Sequence, residues 1–187
     1  MHMEAPVIET ARLRLRPHRV DDFEAYASMW SDPSVTRHIG GKPFSPEHSW
    51  SRLLRCRGMW AALGFGFWAV EDRSSGSLAG EVGFLELKRD VTPSIEGTLE
   101  AGWVFSPPYQ GRGHATEAVA TILGWASREH PGIPVTCMIN PGNRASRRIA
   151  DKFDFRAFAD TTYQGNPVVL FRREPQDNPA ARSTARA

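Results

Sequence analysis

The chain has 187 residues, 41% of them hydrophobic and 24% charged, with a formal net charge of +2. These figures suit one globular domain, residues 1–173, and give no basic excess for nucleic-acid binding. Two cysteines are too few for a disulfide framework, and no run approaches the ~20 apolar residues of a membrane span.

The first residues, Met-His-Met-Glu-Ala-Pro, lack the basic and then apolar pattern of a leader, so the expected compartment is the cytoplasm. Residues 8–16 set Leu13 and Leu15 on one face against Arg12, Arg14 and Arg16, which predicts a first strand ended by Pro17. Asp21 predicts the N-cap of a helix through Trp30, with Phe23, Tyr26, Ala27 and Trp30 on one side. Asp32-Pro33 closes it, and residues 34–45 read as loop. Ser45, Pro46 and Glu47 are the start signals of a second helix, whose apolar face is Trp50, Leu53, Leu54 and Trp60. Cys56 falls between Arg55 and Arg57, an ordinary helix position with an activated thiol as the alternative.

Strands are predicted over Phe65–Glu71, Leu78–Lys88 and Leu99–Phe105. Pro107 and Pro108 stop the last of these, because neither can donate to a ladder. A helix follows from about Gly111 to Glu129, with Ala115, Val119, Ile122, Leu123 and Ala126 at helical spacing. Val135–Ile139 predicts a fifth strand, with Cys137 as a small buried hydrophobe. Asn143 caps a helix to about Asp154, and residues 156–163 and 168–173 form a hairpin around Gly165-Asn166. From Glu174 to Ala187 the chain is polar and is expected to be a flexible tail. Strands that begin antiparallel and then cross over through a helix predict an α/β sheet of six to seven strands with helices on both faces.

The segment Ser106–Glu117 joins a strand to a helix through Gly111 and Gly113. Bare backbone at a helix N-terminus, with its unpaired N–H groups and positive dipole end, can seat an anion such as phosphate. A tight turn with no ligand is the plainer alternative. No Gly-Lys-Ser/Thr follows, and the third glycine of a dinucleotide loop is missing.

Gln110-Gly111-Arg112-Gly113-His114-Ala115 resembles the Gln/Arg-x-x-Gly-x-Gly/Ala signature of the GNAT superfamily of N-acetyltransferases. Thr116-Glu117-Ala118 is similar to the subgroup that acetylates ribosomal-protein N-termini. Asn143-Arg144-Ala145-Ser146, Ser31-Asp32-Pro33 and Gly80-x-x-Gly83-Phe84 also fit, so the resemblance spans roughly residues 8–173. It implies a GNAT-like, mostly antiparallel sheet whose fourth and fifth strands splay apart to admit acetyl-CoA. The first two helices would roof the acceptor side.

The resemblance implies direct transfer of an acetyl group to a primary amine, most simply a protein or peptide N-terminus. A lysine costs ~4.6 kcal/mol to deprotonate at pH 7 and an α-amine only ~1.1. A polyamine or antibiotic acceptor, or a non-catalytic acyl-CoA-binding module, would share these motifs. The N–H groups of Gly111, Arg112, Gly113, His114 and Ala115 are expected at the pyrophosphate, with Gln110 pinning the loop. Asn143 caps its helix and is implied to bond the pantetheine arm or the adenosine region. A backbone N–H at Val104 or Phe105 would polarise the thioester if a bulge frees it. Glu100 is the first choice of base, ahead of Glu81 and Glu86, and Ser146 the proton donor to the thiolate. No metal, nucleic-acid or membrane partner is expected, and the chain would be a monomer or homodimer. One departure is Lys152-Phe153-Asp154-Phe155, where the family usually has Lys-Leu-Gly-Phe.

Overall fold

A computed structural model describes residues 4–175. Most of the expected tail therefore lies outside the described residues. One sheet of eight strands runs in the order β1-β2-β3-β4-β5-β6-β8-β7. Every neighbouring pair is antiparallel except β5–β6.

The expected six to seven strands become eight because the first one is broken. β1 (Ile8–Glu9) folds back on β2 (Leu13–Arg16) through a turn in which Thr10 N–H donates to the Leu13 carbonyl. Arg16 is the reason the next cap shifts. Its guanidinium binds both Asp22 oxygens at 2.7 and 2.8 Å and Glu71 at 2.7 Å, all buried. With its carboxylate so engaged, Asp22, not Asp21, stands at the N-cap of α1 (Phe23–Ser31), after a single 3-10 turn. Asp32 closes α1 and accepts from Ser34 N–H, which starts a four-residue helix, α2 (Pro33–Thr36), inside the expected loop. α3 (Pro46–Leu63) begins as expected, with Ser45 Oγ accepting from His48 N–H.

β3 (Phe67–Asp72), β4 (Leu78–Leu85) and β5 (Leu99–Phe105) form the antiparallel centre. Gly80 and Gly83 of β4 are forced by close approach. A Cβ at either would stand 2.2 Å from a carbonyl oxygen, that of Val104 or that of Gly66. α4 (His114–Glu129) crosses over to β6 (Val135–Ile139), and α5 (Arg144–Lys152) leads to the β7 (Arg156–Tyr163) and β8 (Asn166–Arg173) hairpin.

Alternation along β4 and β5 separates two layers. Val82, Phe84, Ala101 and Phe105 join Val119, Ile122, Leu123 and Trp125 of α4 and Ala150 of α5 in the larger core. On the other face, Val104 packs with Tyr26, Met29 and Trp30 of α1 and Leu53 of α3. Phe67 and Leu85 pack there with Cys56 and Met59. The helices thus divide, α4 and α5 on one face and α1–α3 on the other.

The Asp154 departure has a measurable cost. The residue sits just past α5 at φ 61°, the left-handed conformation that suits glycine. Asp154→Gly is expected to stabilise the protein by about 1 kcal/mol, read as a rise of roughly 2–4 °C in melting temperature. An unchanged or lower value would mean that the weak Arg156–Asp154 contact of 3.7 Å outweighs the backbone strain.

Candidate functional site

β5 and β6 pair only at Leu99–Val135 and Glu100–Thr136. Beyond Glu100 both strands continue but no longer pair with each other, so the sheet opens as the family resemblance implied. A cleft of about 480 Å³ lies at the opening. Its walls include Glu100–Val104 of β5, Cys137–Ile139 of β6, and Asn143 and Ser146 of α5.

The Gly-rich loop adjoins the end of β5. Gly111 and Gly113 have φ of 69° and 82°, and Gly113 is the N-cap of α4. Glycine has no side chain to offer the helix, and no side-chain cap bond is made there. The first-turn N–H groups of α4 are therefore available to an anion. A Cβ at Gly111 would meet nothing within 4 Å, so the space beside the loop is open. These features fit the phosphates of a coenzyme A.

The loop is held from several sides. Gln110 Nε2 donates to the Phe105 carbonyl at 2.7 Å, the pinning contact expected of it. His114 is buried, with Nδ1 3.2 Å from the Tyr109 carbonyl oxygen. Arg12 was not anticipated. Its Nε and backbone N–H both donate to the Glu117 carboxylate, at 2.7 and 2.9 Å, and its Nη1 donates to the Arg112 carbonyl at 2.8 Å. Thr10 Oγ1 adds a third bond to Glu117 at 2.6 Å. Arg112 itself is exposed, and its guanidinium reaches back to the Pro108 carbonyl at 3.3 Å.

The bulge on which a free N–H at Val104 or Phe105 was conditional is absent. The register from Leu85–Glu100 to Gly80–Phe105 is unbroken, and Ser106 N–H donates to the Ala79 carbonyl across the same ladder. Alternation by twos turns the Val104 N–H toward β4 as well, and turns those of Trp103 and Phe105 toward the opening. Splaying of the strands, rather than a bulge, exposes an N–H, and Phe105, not Val104, has it on the open side.

Of the three carboxylates nominated as bases, only Glu100 lines the cleft. It is buried, and Oε2 accepts from Arg89 Nε at 2.6 Å. Glu81 is fully buried on the α1–α3 face, where it accepts from Tyr26 Oη at 2.8 Å and from Arg52 at 2.6 and 3.1 Å. Burial pushes the Glu81 carboxyl up, but Arg52, followed by His18, overrides this and holds it at about 2. It cannot accept a proton near neutrality. Glu86 is half-buried and lies off the cleft.

Asn143 Oδ1 accepts from Ser146 N–H at 3.1 Å, the capping bond expected of it. Both side chains are half-buried on the cleft wall. The cysteines are poor nucleophiles. Burial, then the charge of Glu81, raises the Cys56 thiol to about 12, and burial raises Cys137 well above its usual range. Cys56 is thus a buried member of α3, and the activated-thiol alternative falls. His18, Cys56 and Glu81 approach within 4.8 Å of one another, but Arg52 already balances the charge of that group.

The residues that sequence reasoning missed are the arginines around the cleft, Arg52 above all. A signal existed. Arg52 and Cys56 are one helical turn apart, beside Leu53 and Met59 on the inward side of α3. An arginine on a buried stripe demands a carboxylate.

Among the described residues no helix is long and apolar enough to cross a membrane. The profile of the Acetyltransferase (GNAT) domain family matches residues 12–156. YnaD, an uncharacterized N-acetyltransferase of Bacillus subtilis, is 29% identical over 80% of this chain and 82% of its own. A Bordetella pertussis protein assigned to the GnaT acetyltransferase family superposes with a TM-score of 0.79 at 30% identity, covering 90% of this chain and 99% of that one. RimL, the ribosomal L7/L12 α-N-protein acetyltransferase, solved in complex with coenzyme A, shares the fold at a TM-score of 0.72 and 15% identity, over 91% and 98% of the two chains. A sheet opened beside an uncapped Gly-rich helix start, together with a family match over most of its length, makes this chain a member of the GNAT family of N-acetyltransferases, which draw their acetyl group from acetyl-CoA.

Proposed function

We propose that the chain transfers the acetyl group of acetyl-CoA directly to a primary amine, and that the amine is the N-terminus of a protein or peptide. The observation that carries the reading is the parting of β5 and β6 just past Glu100, with the open N-terminus of α4 following β5 and a cleft lined by both parted strands.

Acetyl-CoA supplies an acyl group already activated as a thioester. The chain's own residues do the rest. The N–H groups from Gly111 to Ala115 bind the pyrophosphate, several acting together at roughly 0.3–2 kcal/mol each. Gln110 keeps the loop in shape. The Phe105 N–H polarises the acyl oxygen. Asn143 keeps one amide atom for its cap and turns the rest of the group to the cofactor arm. Glu100, held in place by its ion pair with Arg89, takes the amine's proton through water, a small task for an α-amine. Ser146 Oγ gives a proton to the departing sulfur. With both thiols raised in pKa, no acetyl-enzyme forms.

The test has two steps. Acetyl-CoA at one hundred times its dissociation constant should stabilise the fold by about 2.7 kcal/mol through mass action, seen as a rise in melting temperature. Peptides with free N-termini should then release free thiol from acetyl-CoA. No thermal shift at millimolar acetyl-CoA would remove the reading. A shift with an intact thioester against every amine would leave a binding module.

Ser146→Ala should lower turnover about 10²-fold, the low end for general acid help because water can substitute, with acetyl-CoA affinity unchanged. Loss of affinity at full turnover would instead make Ser146 a binding residue.

A further inference from the structure

The α1–α3 side of the cleft is cationic. Arg37, Arg52, Arg55 and Arg89 line it; Arg89 is paired with Glu100 and Arg52 with the buried Glu81, while among the described residues Arg37 and Arg55 pair with no carboxylate. This side lies on the face of the sheet opposite α4 and α5. The charge therefore stands apart from the helix start that the proposed function gives to the cofactor phosphates.

Arg52 is the most ordered of the four. Its Nε and Nη2 both donate to Glu81 Oε1. Glu81 is fixed in turn by Tyr26 Oη, and His18 Nε2 lies 3.4 Å from its Oε2. The guanidinium lies 4.3 Å from the Trp30 ring centre and 5.7 Å from that of Phe67. The Trp30 ring stacks on Phe44 at 4.6 Å, which stiffens the wall. Among the described residues Nη1 makes no hydrogen bond, and it is not fully buried but reaches solvent at the cleft. The side chain as a whole is 12% exposed. A planar guanidinium locked at one edge and open at the other is preorganised for an anion, and a carboxylate matches its geometry.

We infer that Arg52, with Arg55 and Arg37 beside it, is a carboxylate subsite, and that the acceptor is a primary amine carrying a carboxylate close to its amino group. This rests on the proposed acetyl transfer and narrows it to N-termini whose first residues are acidic. Polyamines and aminoglycosides meet like charge here and are disfavoured.

Matched acceptors give the test. The amidated peptides Ser-Glu-Glu-Ala and Ser-Lys-Lys-Ala, free glutamate and spermidine are compared by thiol release with saturating acetyl-CoA. The acidic peptide should exceed the basic one at least tenfold in kcat/KM, through KM, and the gap should shrink as salt screens the exposed charges. Arg52→Lys and, separately, Arg55→Ala should narrow that gap while kcat changes little, and their folding is checked by melting. Calorimetry with each peptide, with and without coenzyme A, reads the subsite when no acceptor turns over. A preference for free glutamate would support the carboxylate subsite and name a small molecule as its source. Equal or better use of spermidine or the basic peptide, or no calorimetric binding of the acidic peptide, would overturn the inference. Acetyl-CoA binding is scored separately, so its failure would count against the proposed transfer and not against the subsite.

Discussion

Gly113→Val is expected to lose acetyl-CoA affinity by at least a hundredfold, about 2.7 kcal/mol. Three effects act together. Gly113 holds φ at 82°, where a β-branched residue is strained. The new side chain would shield the first-turn N–H groups of α4 from a phosphate. Its Cβ would also press on Arg12 Nη2 at 3.3 Å, loosening the contact between Arg12 and the loop. The fold should lose only about 1–3 kcal/mol, because Arg12 is a flexible, partly exposed side chain that can move away. Gly111→Ala is the sharper comparison. Its Cβ meets nothing in the protein, so any loss of affinity beyond the backbone strain reports the ligand. Titration of both variants by calorimetry decides the matter. Normal binding by Gly113→Val would make the loop a plain turn.

Glu81→Leu should be the most destabilising change away from the loop. It leaves the Arg52 guanidinium, largely buried, without its counter-ion, and Tyr26 Oη without an acceptor. Breaking a buried pair from one side costs about 3–5 kcal/mol, a fall in melting temperature on the order of 10 °C. The pH dependence carries a sign. The Glu81 carboxyl is held at about 2 in the fold, against an ordinary value of 4.5. Its contribution is then complete above pH ~4.5 and is lost as pH falls from there toward 2. Glu81→Gln should flatten the acid limb of the stability profile. A Glu81→Leu protein within about 1 kcal/mol of the parent would mean that Arg52 finds water or another partner at little cost.

Much of the frame could be read from the chain because its signals are local. Pro107 and Pro108, the glycines at 111 and 113, and the stripe of α4 specify strand, turn and helix within thirty residues. Asn143 and Asp154 mark the two ends of α5 in the same way. The break between β1 and β2 could not be read, since Thr10 and Arg12 look like polar strand positions until Glu117 is known to bind them from 105 or more residues away. The Arg52–Glu81–Tyr26 group was hidden for the same reason. Its members are unremarkable one at a time, and only the packing of α1 and α3 on β4 brings them together. The large aromatic residues divide in a way that spacing does not reveal. Trp60 and Trp68 join Trp125 in the larger core, while Trp30 and Phe44 face the cleft.

The clamp from Arg12 to Glu117 has a consequence for the order of assembly. A contact that spans 105 residues forms only after the intervening chain has been synthesised and much of its loop-closure entropy has been lost. The first hairpin leaves the ribosome early, but its partner at the start of α4 emerges far later. The Gly-rich loop is thus completed from both sides of that interval, as one of the least local parts of the molecule. Fraying of the N-terminal hairpin alone would then release Arg112 and Glu117, and with them the cofactor binding proposed for this loop, while the central sheet stays folded.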